Sequence, residues 1–146
     1  MTNNSSQFLY TPIWGSKFKV RGIPDKDGTN IGINLIHHVS NQHIFHLNFH
    51  YTKNFIIFDT MDINNKWERQ ERAGDSPVRP GIEFEAEITC NKEEYILTIN
   101  GTWTHKFKHR HNYLHADRLT IVANIVLLEV VPNVITPEPC SVQVSK

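Results

Sequence analysis

His46, Asn48 and His50 stand at alternate positions in the segment His46-Leu47-Asn48-Phe49-His50. In an extended strand, side chains two residues apart project from the same face. The spacing predicts a row of hydrogen-bonding groups along one face, with Leu47 and Phe49 turned to the other. Imidazole nitrogens and a carboxamide offer donors and acceptors suited to a neutral, hydroxyl-rich ligand. Water competes for every such contact, so a neutral bond contributes only about 1 kcal/mol net, and a charged one about twice that. A sugar ring also needs an aromatic face for its patch of C–H groups. Trp67, after the polar run from Asp62 to Asn65, can supply it, and Arg72 adds a further donor. Taken alone, each residue has a plainer explanation: a solvated strand face, or a tryptophan at the rim of a core. The joint spacing favours a binding site.

The elements that must carry these residues are nearly all of period two. Lys17-Phe18-Lys19-Val20-Arg21 alternates until Gly22 and Pro24 break it. Ile31 to His37 is apolar-rich, and Ile44 to His50 alternates. A turn around Thr52-Lys53-Asn54 leads to Phe55-Ile56-Ile57-Phe58, and Trp67 is expected to open the next short strand. Pro77, Pro80 and Gly81 interrupt the pattern before Ile82 to Ile88 alternates with glutamates on the wet side. Tyr95 to Ile99 and Trp103 to Phe107 flank Asn100-Gly101, a hairpin turn signal. Leu119 to Val131 is long enough for two strands or one long buried strand. No comparable window has helical spacing with caps. Many short strands with Gly/Pro turns predict an all-β chain folded as an antiparallel sandwich or barrel.

Composition narrows the function classes. At 146 residues the chain is one domain with a buried core. Lys plus Arg and Asp plus Glu both number 15, so no net charge argues for nucleic acid or an anionic membrane surface. No apolar run reaches the length of a membrane-spanning helix. The polar stretch Met1 to Gln7 lacks the apolar core of a signal peptide. The Asn-x-Ser/Thr triplets at Asn3, Asn4 and Asn100 are therefore read as chance. Cys90 and Cys140 suggest reduced thiols rather than a disulfide scaffold, with Cys90 buried and Cys140 exposed. The expected organisation is a disordered-like segment over residues 1–7, one domain over 8–131, and a tail or linker over 132–146.

With its motifs in order, the chain resembles the galectins. That family's signature is His-x-Asn-x-Arg, an apolar strand ending in Asn, then Trp-x-x-Glu-x-Arg. Here the elements read His46-x-Asn48-x-His50, Ile57-Phe58-Asp59 and Trp67-x-x-Gln70-x-Arg72. Pro80-Gly81-Ile82-x-Phe84, Tyr95, Asn100-Gly101 and Phe107-Lys108-His109-Arg110 extend the likeness. The resemblance implies a two-sheet jelly-roll β-sandwich that binds β-galactosides without metal, cofactor or catalysis. It implies cytoplasmic synthesis, export by a signal-less route, and a capacity to dimerise. It implies that residues 46, 48 and 50 bond the axial O4 and ring oxygen of galactose. Residues 59 and 70 would reach O6 or the neighbouring sugar, and Trp67 would be the stacking platform.

Positions 50, 59 and 70 depart from the signature: His for Arg, Asp for Asn, Gln for Glu. Histidine cannot reproduce the guanidinium fork. Loss of one charge-assisted contact costs about 1.5–3 kcal/mol, roughly ten- to a hundredfold in affinity. Asp59 is expected to pair with Arg72 or His50, raising the His50 pKa and making binding pH-sensitive. The alternative is a galectin-fold protein without sugar binding that acts through protein contacts or dimerisation. A metal site from His46, His50 and Asp59, or acid–base chemistry from Glu71, Asp75 and His46, lacks the ligand spacing or nucleophile it would need. His105, His109, His111 and His115 are expected on the solvated surface, Trp103 in cross-strand packing, and Trp14 packed near the N-terminus.

Overall fold

The computed structural model describes residues 4–123 and 125–133. The strands are β1 (Asn4–Leu9), β2 (Lys17–Pro24), β3 (Asn30–His37), β4 (Gln42–His50), β5 (Phe55–Asp59) and β6 (Glu71–Ala73), followed by β7 (Phe84–Cys90), β8 (Glu94–Ile99), β9 (Trp103–Lys108), β10 (Arg118–Ala123) and β11 (Ile125–Asn133). They pair antiparallel in two sheets. One has the order β1-β10-β3-β4-β5-β6, the other β11-β2-β7-β8-β9. A single turn of 3₁₀ helix, Tyr113–His115, precedes β10. The expected all-β two-sheet sandwich is the observed fold.

Alternation makes the layers. On β2, Phe18 and Val20 are buried while Lys17, Lys19 and Arg21 point out; on β7, Phe84, Ala86 and Ile88 are buried while Glu85 and Glu87 point out. Their outer faces meet as ion pairs: Lys17–Glu87 at 3.7 Å, Lys19–Glu85 at 3.8 Å and Arg21–Glu83 at 2.8 Å. Exposed pairs of this kind contribute under about 1 kcal/mol each, so the apolar faces, not these charges, hold the sheets together. Between the sheets Phe45 stacks on Tyr95 at 4.2 Å, and Phe58 on Phe107 at 6.0 Å. Gly22 lets β11 close on β2: a Cβ there would lie 2.7 Å from Ile125 Cδ1 and 2.9 Å from the Val126 carbonyl.

The ends of the chain differ from expectation. Asn4 to Gln7 are not disordered-like; they pair with β10 in register Asn4↔Ala123 to Gln7↔Thr120. Backbone pairing to an open sheet edge needs little apolar sequence, which is why composition missed it. Likewise Pro132 and Asn133 extend β11 against Phe18 and Lys17 rather than starting a tail. Residues 1–3 and 134–146, with Asn3, Pro137, Pro139 and Cys140, lie outside the described residues. Leu119 to Val131 forms two strands, one in each sheet. Trp14 is 63% exposed instead of packed.

Candidate functional site

His46, Asn48 and His50 share the outer face of β4, while Leu47 and Phe49 are buried between the sheets. A bulge adds a member to the row. Leu35 pairs with Phe45 but Ile36 pairs with His43, so Ile44 is the extra residue on β4. The extra residue reverses the phase of alternation, as bulges do. His43, three positions before His46, thereby reaches the same outer face.

Neighbouring β3 orients these groups. Across the register Gly32 faces Asn48 and Asn34 faces His46. Asn34, 4% exposed, donates through Nδ2 to Thr120 Oγ1 at 3.2 Å, and its Oδ1 lies 2.5 Å from His46 Nδ1. An amide oxygen only accepts, so Nδ1 carries the proton and the neutral ring presents Nε2 as an acceptor. Burial pushes the His46 pKa down to about 4, with nearby His43 adding to the shift, so the ring is neutral at physiological pH. Asn48 Oδ1 accepts from Asn30 Nδ2 at 3.1 Å, which leaves the Asn48 amide hydrogens as free donors. An acceptor and a donor thus stand side by side on one strand.

Trp67, half-exposed, packs beside His46 and His43, with ring centroids 4.6 Å and 5.3 Å away. It does not open a strand; it forms an isolated bridge with Met61, and β6 begins only at Glu71. The loop is held from beneath. Asp62 Oδ1 accepts from the backbone N–H of Asn64 at 2.8 Å and Lys66 at 3.1 Å, an Asx turn. Asp59 Oδ1 accepts from Thr60 N at 2.7 Å and Arg69 N at 3.0 Å. Arg110 completes the anchor, 3.3 Å from Asp59 and 3.3 Å from Glu71. Glu68 accepts from Thr60 Oγ1 at 2.7 Å and lies 2.6 Å from His111 Nε2.

Asp59 therefore pairs with neither Arg72 nor His50. Its carboxylate is buried under the loop, satisfied by two backbone N–H groups and Arg110. The residue opposite His50 across the register is Phe55. His50 stacks on its ring at 4.7 Å, and the Arg72 guanidinium lies over that ring at 4.0 Å from the centroid. The expected rise in the His50 pKa is reversed: partial burial lowers it, and Lys53 and Arg72 lower it further. Gln70 is exposed in the loop before β6.

Sequence reasoning missed four contributors: Asn34, His43, Phe55 and Arg110. The alternation Asn30-x-Gly32-x-Asn34 in an otherwise apolar run was a usable signal for Asn34. His43 needed the bulge, and Arg110 the loop packing. The histidines after β8 are also not simply solvated. His105 stacks on Phe58 at 4.4 Å, and His109 lies between Tyr95 and Tyr113 at 4.4 and 4.7 Å. His115 alone of the four is exposed. Among the described residues no group of three His, Cys, Asp or Glu side chains is arranged to hold a metal ion.

The chain is similar in sequence and fold to known proteins. A family model described as "Galactoside-binding lectin" matches residues 5–131. Galectin-4 of Bos taurus is 33% identical over 78 residues, 47% of this chain but only 24% of the length of that protein. The β-galactoside-binding lectin of Electrophorus electricus is 28% identical over 108 residues, covering 70% of this chain and 81% of that one. Among solved structures, a variant of human galectin-16 superposes with a TM-score of 0.80 at 18% identity, covering 88% of this chain and 94% of its own. Sheep galectin-11 in complex with glycerol superposes with a TM-score of 0.80 at 17% identity, covering 88% and 97%. These structural likenesses speak to the fold.

Proposed function

The chain belongs to the galactoside-binding lectin family, and from that premise we propose that the outer face of β4, β5 and the Trp67 loop binds β-galactoside-containing glycans. The observation that carries this reading is the oriented, neutral His46 beside Asn48 and a half-exposed Trp67. A ring hydroxyl donating to His46 Nε2 can accept from Asn48 Nδ2 at the same time. The C–H face of the sugar packs on Trp67, whose exposure leaves apolar area to bury at about 25 cal/mol per Å². Arg72 and Gln70 border the site.

The departures set its strength. His50 and Arg72 are both engaged by Phe55, and Asp59 is committed to the loop. Contacts that a typical member makes to the sugar are thus weakened or absent at these three positions, so single-site affinity for simple galactosides is expected to be low. The same stack supports a second reading, a galectin-fold protein that acts through protein contacts without a sugar.

A glycan array with Trp67→Ala and Asn48→Ala controls separates the two. Binding to galactosides that both substitutions abolish supports the lectin. Silence across all galactosides, with the fold intact by circular dichroism, supports the protein-contact reading.

A further inference from the structure

The charges around the site balance in number but not in placement. Between residues 46 and 72 the sequence holds the acids Asp59, Asp62, Glu68 and Glu71 and the bases Lys53, Lys66, Arg69 and Arg72. Arg110, from outside that stretch, pairs with both Asp59 and Glu71. Glu68 is bound by Thr60 and His111, and Asp62 is folded into its Asx turn. Among the described residues, Arg72 and Lys53 make no ion pair with any carboxylate, whereas Arg21 and Arg118 do. The family signature places a carboxylate at position 70, where this chain has Gln70.

The cations are also placed. Arg72 is fixed over the Phe55 ring, which restrains its guanidinium while leaving its N–H edge in solvent, for the residue is exposed. His50 lies on the same ring, and Lys53 follows it in the exposed turn after β4. A guanidinium held in position offers paired donors matched to the oxygens of a sulfate or carboxylate.

We propose that the end of the site formed by His50, Lys53 and Arg72 takes an anionic substituent on the glycan, a sulfate ester or a carboxylate, beside the sugar held at His46, Asn48 and Trp67. The proposal rests on the lectin reading above. It makes the replacement at position 50 a change of specificity. The guanidinium's charge-assisted contact to the sugar is given up, and Arg72 and Lys53 remain as cations that no side-chain carboxylate pairs with among the described residues. Partial burial is the first cause of the lowered His50 pKa, and Lys53 and Arg72 add to it; an anion beside them relieves the part due to the two cations. Ligand binding should then draw a proton onto His50 and strengthen as the pH falls toward 6.

Calorimetric titration of the full chain tests this with lactose, a sulfated lactose, a lactose carrying a carboxylate sugar, and sulfated cellobiose as a charged glycan without galactose. The expected result is an affinity at least about tenfold higher for one or both anionic lactoses than for lactose at low salt. That advantage should shrink severalfold at 1 M NaCl, where the screening length is about 3 Å. Lys53→Gln should lower the advantage while leaving lactose affinity unchanged. Whichever anionic lactose wins identifies the substituent. Lactose binding with no anionic advantage overturns the proposal and leaves the lectin reading standing. Silence toward all four ligands overturns both. Equal binding of sulfated cellobiose and sulfated lactose overturns the proposal in favour of charge alone.

Discussion

Replacing Arg110 by alanine should destabilise the protein by about 3 kcal/mol, chiefly through a carboxylate that Arg110 does not share a strand with. Asp59 is 6% exposed and Arg110 16% exposed, 3.3 Å apart. Breaking a buried ion pair from one side costs roughly 3–5 kcal/mol, because the remaining charge is left uncompensated. Two backbone N–H groups still hold the Asp59 carboxylate, which places the cost at the lower end. Glu71 adds little, being 41% exposed. In a domain of this size each kcal/mol moves the melting temperature by about 2–4 °C, so a fall of roughly 6–12 °C is expected. The second arm isolates the mechanism. Asp59→Asn keeps an acceptor for both N–H groups but removes the charge, so Asp59→Asn/Arg110→Ala should be more stable than Arg110→Ala alone, by about 1 kcal/mol or more. Urea unfolding of the four proteins gives the coupling energy. If Arg110→Ala costs less than about 1 kcal/mol, or the double variant loses the sum of the two singles, Asp59 is not a charge that Arg110 compensates.

Other expectations follow from the same geometry. His46 has its pKa pushed down to about 4 on folding, so the unfolded chain takes up its proton first. The stability it contributes is complete above about pH 6.5 and is lost as the pH falls from there to about 4, at most roughly 3 kcal/mol. The slope of urea stability over that range should flatten in His46→Gln; an unchanged slope contradicts the assignment. Asn34→Ala should cost about 1–3 kcal/mol by orphaning the His46 Nδ1–H, and should convert the imidazole ¹⁵N spectrum from one dominant tautomer to a mixture. An Nε2–H tautomer in the unaltered protein would refute that orientation. Gly101 sits at φ +76° with no atom within 4 Å of a Cβ, so Gly101→Ala is expected to cost about 1 kcal/mol from backbone strain alone, with unchanged glycan binding. A larger loss measured by thermal unfolding would mean that the turn is packed.

The strands were legible because burial on one face imposes period two, and β2, β4, β7 and β8 obey it over most of their lengths. The turn at Asn100-Gly101 was legible because both residues adopt positive φ, 52° and 76°, as its chemistry demands. The row at positions 46, 48 and 50 followed from alternation. What the sequence concealed were contacts that alternation cannot encode. A single extra residue at Ile44 brought His43 into the site. Asp59 went to Arg110, fifty-one residues away, instead of to a strand neighbour. Phe55, read as one residue of an apolar strand, turned outward to stack between His50 and Arg72. The first residues of β1 were hidden because an edge strand can be assembled from Asn, Ser and Gln when only its backbone is needed.

The sheet order has a kinetic consequence. From Asn30 to Ala73 every strand pairs with the next one along the chain, so the four strands bearing the site form an unbroken meander. Closure is different: β11 must find β2 and β10 must find β1, pairings between opposite ends of the sequence. Contacts of that range are slow to form, whereas hairpins close in about 1–10 μs. The site-bearing meander can therefore form ahead of the strands that seal the sandwich. Substitutions that weaken the meander should therefore slow folding more than they speed unfolding.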